Sequence, residues 1–513
     1  MVMLLQFEAP RLSGLLVVLH LLLALSSSLL THASPVLPPD NLNPLIITPG
    51  PPTPTSYNPT PVLKRDLAGY LTSVLGPLPS YVASGIPNFF QDFPIGADVA
   101  KRLGVGDGDL APIPTSVLNI PGYANWTNSG WNLLVHGNVY KTPNISQDRI
   151  DDLANIFLVD VKISDLPPAN QSMARNLTRN IFVVQQGDVN VTLDLVPNYV
   201  APPGLSGGLV AATGGAQTIR LSSPTTAEGD FAEFVPLTGT GLLQGNQTTS
   251  IQALNLYAQG SISGNASSYL VPPTGFTVIS DIDDILRVTK IYKPAEGLLN
   301  SFARAFTPWM NMPEIYANWS RTIPNFHFHY LTTTPEQITA NYMDYIYKTY
   351  PLGSFDTRPL NFSDVAATLQ IRKFLLERIF ETYPQRKFIL VADTSNSDVM
   401  KDYPLMATQF PGQVQCIFLR NTSSTDSDDK FPYDTSGFSG LNQSMYMFFN
   451  VPDDLAGLDI TSGQCYNSSV KQNVTFNVQG LPFGAATRRT AGGSTTWMAT
   501  LGILVGMVSL ALI

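Results

Sequence analysis

The densest chemistry in the chain lies in Ser280-Asp281-Ile282-Asp283-Asp284-Ile285. These residues directly follow Phe276-Thr277-Val278-Ile279, a short, nearly continuous apolar run of the kind buried on both faces of a parallel sheet. Ligands of an open α/β sheet bind outside the carboxyl ends of its strands, which is where this acidic stretch falls. If the backbone stays extended, Asp281 and Asp283 send both carboxylates toward one crevice, because side chains two apart in extended backbone share a face. One can attack a phosphorus and form an aspartyl-phosphate, which splits a difficult displacement into two steps; the other handles the leaving-group proton. So much negative charge beside a phosphate requires a cation, and hard oxygen ligands favour Mg²⁺. The competing reading is a turn or a calcium loop. A loop of the EF-hand kind needs Gly at its sixth position, where this chain has Leu286.

Three more positions fall where the same crevice is expected. Phe326 to Leu331 predicts a second buried strand, and Thr332 at its end presents a hydroxyl to a phosphoryl oxygen. Phe388-Ile389-Leu390-Val391 predicts a third, which runs into Ala392-Asp393-Thr394-Ser395-Asn396-Ser397-Asp398 and brings two further carboxylates, Asp393 and Asp398, to the rim. Lys373, with Arg372 as its neighbour, stands early in an amphipathic stretch and supplies positive charge for nucleophile and phosphate. Singly, each has a plain structural reading: Thr332 as a strand terminus, Asp398 as a helix N-cap, Lys373 as a solvated helix residue. Their order along the chain, each at one strand end or helix start, favours a shared site.

The elements that must hold these residues follow from periodicity. Ile371, Phe374, Leu375, Ile379 and Phe380 recur at helical spacing, which predicts an amphipathic helix over about 366–382. A helix-compatible stretch runs from Pro335 to about Tyr350, and Val414 to Leu419 is a fourth buried strand. Strands alternating with helices predict a doubly wound, mostly parallel α/β layer. Upstream, Trp131 to Tyr140, Asn180 to Val184, Val189 to Val196 and Ala253 to Ala258 read as short strands separated by turns, which predicts a β-rich, sandwich-like unit. Past Asn421 the chain turns polar, and Asp426, Asp428 and Asp429 read as part of a solvated loop.

Asp-x-Asp, then Thr, then Lys, then Asp-x4-Asp resembles the haloacid-dehalogenase superfamily of phosphatases, whose sheet is Rossmann-like. More narrowly, Tyr269-Leu270-Val271-Pro272-Pro273-Thr274-Gly275 leading into Asp281-Ile282-Asp283-Asp284 resembles the fungal actin-patch phosphatidate phosphatase family. So do Phe328-His329-Tyr330-Leu331-Thr332, Tyr350-Pro351-Leu352-Gly353 and Tyr383-Pro384-Gln385-Arg386-Lys387-Phe388-Ile389-Leu390-Val391. The resemblance covers about 265–421. It implies Asp281 as nucleophile, Asp283 as general acid/base, Thr332 as phosphoryl-orienting group and Lys373 as charge stabiliser. It also implies Mg²⁺ held by Asp281, Asp393, Asp398 and the backbone carbonyl of Asp283, and conversion of phosphatidate to diacylglycerol. Ile285 stands where the superfamily usually has Thr or Val, which keeps bulk and loses a hydroxyl.

Composition narrows the setting. Across 513 residues the net charge is −9 and only 13% are charged, which argues against nucleic acid as a partner because phosphate-backbone binding needs a basic face. Two cysteines exclude multi-cysteine zinc motifs and leave one disulfide possible. Residues 1–33 have the apolar run and small residues of a secretory leader. Residues 34–65 are a proline-rich linker. At the far end a small triplet, Gly484-Ala485-Ala486, precedes a polar spacer over 487–496 and an apolar tail, which has the layout of a glycolipid-anchor signal, a spanning tail being the alternative. Asn-x-Ser/Thr sequons occur at Asn125, Asn144, Asn170, Asn176, Asn190, Asn246, Asn265, Asn318, Asn361, Asn421, Asn442, Asn467 and Asn473, consistent with export. The organisation expected is a β-rich domain over 66–265, a phosphatase-like domain over 266–425, a glycosylated polar tail over 426–486 and an anchor signal over 487–513. The functional expectation is a cell-surface phosphatase acting on phosphatidate at a membrane surface. The alternatives are an enzyme for a soluble phosphomonoester, or a non-catalytic surface glycoprotein on the same scaffold.

Overall fold

The computed structural model describes residues 96–158, 161–197, 199–200, 208–261, 263–290, 292–360, 371–426, 433–472 and 474–479. The expected leader, proline-rich linker and anchor lie outside the described residues, as do Asp428 and Asp429. Among the described residues no helix is long and apolar enough to cross a membrane.

Two sheets dominate. The first has ten strands: β1 Ser116–Ile120, β2 Gly122–Thr127, β3 Gly130–Lys141, β4 Val184–Gln185, β5 Thr192–Val196, β6 Val210–Ala211, β7 Gln217–Arg220, β8 Asp230–Pro236, β9 Gln252–Ala258 and β10 Asn265–Leu270. Its main path runs β1-β3-β2-β10-β9-β5-β7. It is antiparallel except where β10 meets β2 and β6 meets β9. Alternation along these strands buries Leu133, Val135, Leu193, Leu195, Leu254 and Leu256 in a core of their own. The unit therefore ends at Leu270, past the expected division at 265.

Between β3 and β4 lie two helices, α1 Gln147–Phe157 and α2 Pro168–Ile181, the second of which takes up the start of the expected strand at Asn180. The reason is periodicity: Ala174, Leu177, Thr178 and Ile181 are buried at spacings of three and four after a Pro in the first turn. Only Val184 and Gln185 remain for a strand.

The second sheet holds β11 Phe276–Ser280, β12 Phe326–Pro335, β13 Ser354–Arg358, β14 Lys387–Asp393 and β15 Val414–Arg420. A two-residue strand β16, Tyr433–Asp434, precedes its sixth member β17, Tyr446–Phe449, and pairs instead with β18, Val478–Gln479. The order is β13-β12-β11-β14-β15-β17 and every pair is parallel. The chain thus winds outward from β11 in one direction, returns, and winds outward in the other, which leaves a topological switch point between β11 and β14.

The helices that follow are α3 Pro294–Phe302, α4 Met312–Thr322, α5 Glu336–Thr349, α6 Ile371–Thr382, α7 Ser397–Gln409 and the single turn α8 Thr422–Thr425. Val278, Phe328, Val391 and Phe418 face a core shared with α4 and α5. Ile279, Leu390, Ile417 and Leu419 face one shared with α6, α7 and the first sheet. Leu375, Leu376, Ile379 and Phe380 of α6 are fully buried, each contributing about 1.5–3 kcal/mol.

The stretch expected as a polar tail is instead built into this layer. β17 completes the sheet, and a buried disulfide joins Cys416 on β15 to Cys465, with their Cα atoms 5.3 Å apart. Asp426, expected in a solvated loop, is ion-paired to Lys293 at 3.0 Å and Lys290 at 3.6 Å.

Two arginines, Arg386 fully buried and Arg378 half-buried, tie the second layer to its surroundings. Arg386 donates to the carbonyls of Pro272, Thr274, Phe276 and Asn325 and to the Thr277 hydroxyl, so one planar fork closes the approach to β11. Gly275 lies in that approach at φ +111, against Asn325, where a side chain has no room. Where the two sheets meet, Asp356 on β13 accepts from Arg378 at 2.6 Å, His329 at 3.0 Å and Tyr123 of the first sheet at 3.3 Å. Because a lysine has the charge of Arg386 without its fork, Arg386→Lys should lower stability by about 3 kcal/mol in urea denaturation; an unchanged midpoint would remove this residue from the account.

Candidate active site

Asp281 is the first residue past β11, and its N–H donates to the Val391 carbonyl of β14 at 2.8 Å. The two central strands therefore set its backbone at the switch point. Its carboxylate is buried: Oδ1 accepts from the Ile282 N–H at 2.9 Å and Oδ2 lies 3.1 Å from Nη2 of Arg372. Burial pushes its pKa up to about 6 against the pull of Arg372, with the charge of Asp283 adding to the rise.

Asp393 closes β14 one position beyond the level of Asp281. Oδ1 accepts from the Ser395 N–H at 2.6 Å, while Oδ2, like the Ser395 hydroxyl, is buried with no hydrogen-bond partner among the described residues. Burial raises the pKa of Asp393, and the nearby charges of Asp284 and Asp281 raise it further. A buried carboxylate oxygen without a donor, in the field of two other carboxylates, is the electrostatic signature of a place for a cation. Among the described residues no group of three or more His, Cys, Asp or Glu side chains is placed to hold a metal ion.

Asp283 is held on the other side of the turn. Its Oδ1 accepts from Arg287 Nη2 at 2.7 Å and Nε at 3.1 Å and from the Thr289 hydroxyl at 2.8 Å. Arg287 is itself buried between the rings of Tyr342 and Phe306, 4.6 and 5.1 Å from their centroids. The turn depends on Asp284, which has φ +59, a conformation Asp tolerates better than most residues. Its Oδ1 accepts from the N–H groups of Thr289 and Lys290, and its carbonyl accepts from Arg420 at 2.5 Å. Thr332 is level with this turn, since Ser280 pairs with Tyr330 and β12 continues beyond β11. The irregularity in β12–β13 pairing between Leu331 and Pro335 leaves this stretch out of the ladder. Thr332 is buried and its hydroxyl accepts from the Thr334 N–H at 3.1 Å.

By register the ends of β11, β12 and β14 carry Asp281, Thr332 and Asp393 on one edge of the sheet, with Asp283 in the turn after β11, but two expected positions go elsewhere. Lys373 pairs with Glu377 at 3.6 Å on the outer side of α6, its side chain 41% exposed. The cation at Asp281 is Arg372, buried, with no hydrogen-bond partner for Nε and Nη1 among the described residues. Asp398 lies in the first turn of α7, where Asn396 rather than Asp398 is the N-cap. Burial raises the pKa of Asp398, and the cations that offset the rise are Arg372 and Lys401, so it supports the arginine rather than the Asp281–Asp393 pair. Arg287, Ser395 and Arg420 were not singled out from sequence, and Asp284 was seen only as part of the acidic run. For Arg372 a signal existed: it is three and four residues before Leu375 and Leu376, on the stripe that α6 buries.

Residues 276–421 match the family model described as "Phosphatidate phosphatase APP1, catalytic domain". Over 217 residues the chain is 27% identical to Phosphatidate phosphatase APP1 of Saccharomyces cerevisiae, covering 39% of this chain and 37% of the yeast protein. The resemblance read from the motifs therefore holds over the catalytic segment, and the match spans well under half of that relative.

The acid cluster has a measurable consequence. Because the folded-state pKa of Asp281 is raised, its protonated form favours folding below about 4, and that contribution is lost as pH rises through about 6, on the order of 3 kcal/mol. Asp393 acts in the same direction. Buried His136, lowered to about 4, acts oppositely as pH falls below its ordinary value, so the comparison must be made between variants. At pH 7.5 without divalent ions, Asp393→Asn should melt above the wild type. Adding a divalent cation should raise the wild-type Tm and leave the variant unmoved; equal cation responses in the two proteins would contradict the site.

Proposed function

We propose that this chain is a phosphoric monoester hydrolase, Mg²⁺-dependent, that works through an aspartyl-phosphate on Asp281, with phosphatidate as the first candidate substrate. The observation that carries the reading is the pairing of Asp281 with Arg372 at the switch point, opposite a buried, unpartnered oxygen of Asp393. A haloacid-dehalogenase type of Rossmann-like fold is the finer assignment for the second sheet, supported by its strand order and by the match to a phosphatase family.

In this reading Arg372 keeps Asp281 ionised in a buried setting and offers its unpartnered Nε and Nη1 to the phosphoryl oxygens. Oδ2 of Asp281 attacks phosphorus, and the bond from phosphorus to the leaving oxygen breaks. Asp283, with Oδ1 engaged by Arg287 and Thr289, has Oδ2 left to give that oxygen its proton and later to take one from the water that cleaves the acyl phosphate. Thr332 orients the group. Asp281, Asp393 and the Asp283 carbonyl would hold Mg²⁺, which neutralises the charge brought together there.

The alternative substrate is a soluble phosphomonoester. The polar cavity of about 210 Å³ beside β15 and β17 is lined by none of the acid-cluster residues and does not decide between the two. A non-catalytic surface glycoprotein has no physical need of the buried acid cluster, which only raises its electrostatic cost.

Phosphate release from phosphatidate in mixed micelles and from p-nitrophenyl phosphate, each with Mg²⁺ and with chelator, separates the two substrates. Asp281→Asn should abolish turnover. Arg372→Met should cost roughly 10²–10³ in kcat, whereas Lys373→Met should stay within about threefold of wild type. Full activity in Asp281→Asn, or a larger loss from Lys373→Met than from Arg372→Met, would overturn the assignment.

A further inference from the structure

We propose that this protein carries N-linked glycans on Asn144, Asn176, Asn190, Asn246, Asn265, Asn318 and Asn442, and hence that it folds and acts on the non-cytosolic side of a membrane. The inference is independent of the catalytic reading.

Eleven of the chain's sequon asparagines fall among the described residues, and none of them is buried. Seven are exposed: Asn144 before α1, Asn176 on α2, Asn190 before β5, Asn246 before β9, Asn265 opening β10, Asn318 on α4 and Asn442 before β17. They are spread over both sheets and their helices. Asn125, Asn170, Asn421 and Asn467 are half-buried. Glycan attachment uses Nδ2, and Nδ2 of Asn125 donates to the Thr382 carbonyl at 3.1 Å while that of Asn467 donates to the Asp454 carbonyl at 3.3 Å. A sugar on either would compete with a contact that the folded chain uses. The seven exposed asparagines have no such commitment among the described residues.

Two other observations point to the same compartment. The Cys416–Cys465 disulfide is buried, so it must form as the chain folds, and thiol pairing of that kind is stable in an oxidising compartment. Charged residues make up only 13% of the chain, about half the usual share, so much of its hydrophilic surface must be uncharged. Glycans supply such a surface without charge.

The modification is a group transfer. Nδ2 of the asparagine attacks the anomeric carbon of a lipid-pyrophosphate-linked oligosaccharide. A C–N bond forms, the anomeric C–O bond to pyrophosphate breaks, the lipid pyrophosphate leaves, and the Nδ2 proton passes to a base of the transferase. The catalytic crevice then meets phosphomonoesters of the lumen or the cell exterior.

The test is translation of the full chain with and without microsomal membranes, followed by peptide-N-glycosidase in ¹⁸O water and peptide mass spectrometry. Transfer can precede folding, so occupancy is read on the soluble, protease-resistant fraction, from which chains bearing a sugar on Asn125 or Asn467 are depleted because that sugar displaces a contact of the folded chain. Peptides bearing the seven exposed asparagines should carry the ¹⁸O mark, and those of Asn125 and Asn467 should lack it. Changing all seven to Gln should abolish most of the mobility shift, while Asn125→Gln should leave it intact. A chain with no shift in microsomes refutes the proposal, as does a mark concentrated on Asn125 and Asn467.

Discussion

A carboxylate and a guanidinium, both out of water and in contact across the top of two parallel strands, govern this structure. Removing Asp281 and Arg372 from solvent costs several kcal/mol per ion, which their mutual attraction offsets only if the geometry is held. Much of the surrounding fold does that holding. β11 and β14 pair up to Ser280 and Val391, the next N–H of β11 completes the ladder, and α6 is fixed along its buried stripe with Arg372 on the same side. Taking away one partner would strand a buried charge, so the pair constrains the sequence more than its small net stability suggests.

A second feature is deliberate excess of negative charge. Asp281, Asp283, Asp284 and Asp393 gather where the sheet reverses its winding, and arginines answer only part of it. Arg287 pairs with Asp283, Arg420 with the carbonyl of Asp284 and, at 3.5 Å, with its carboxylate, and Arg372 with Asp281. Asp393 is left with a buried oxygen and no donor. Arg287 and Arg420 are thus committed to holding the turn, while Arg372 holds Asp281.

Much of the second sheet was legible because its strands are apolar runs that end in chemistry-bearing residues. Val278-Ile279 into Asp281 and Leu390-Val391 into Asp393 announce both the strand and its business end. Lys373 was misplaced because adjacent helix residues point about 100° apart, so motif order alone cannot choose between it and Arg372. The buried stripe of α6 makes that choice. The end of α2 was misread as a strand because Ile181-Phe182-Val183-Val184 has strand composition, while the helix that overrides it is set by Ala174 and Leu177 further back. β17 was hidden by its polar, glycine-bearing surroundings. Asp426 read as solvated because its partners, Lys290 and Lys293, lie more than 130 positions away. Contacts of that range leave no local trace in a sequence.

The central claim is that one divalent ion and one phosphoryl group share the crevice between β11 and β14. A crystal structure of the full chain soaked with Mg²⁺ and beryllium fluoride tests it most directly. The account predicts a trifluoroberyllate bonded to the Asp281 carboxylate within reach of Arg372, and a metal bridging it to Asp393. A metal bound elsewhere, or fluoroberyllate absent from Asp281 while the ion is in place, would contradict it.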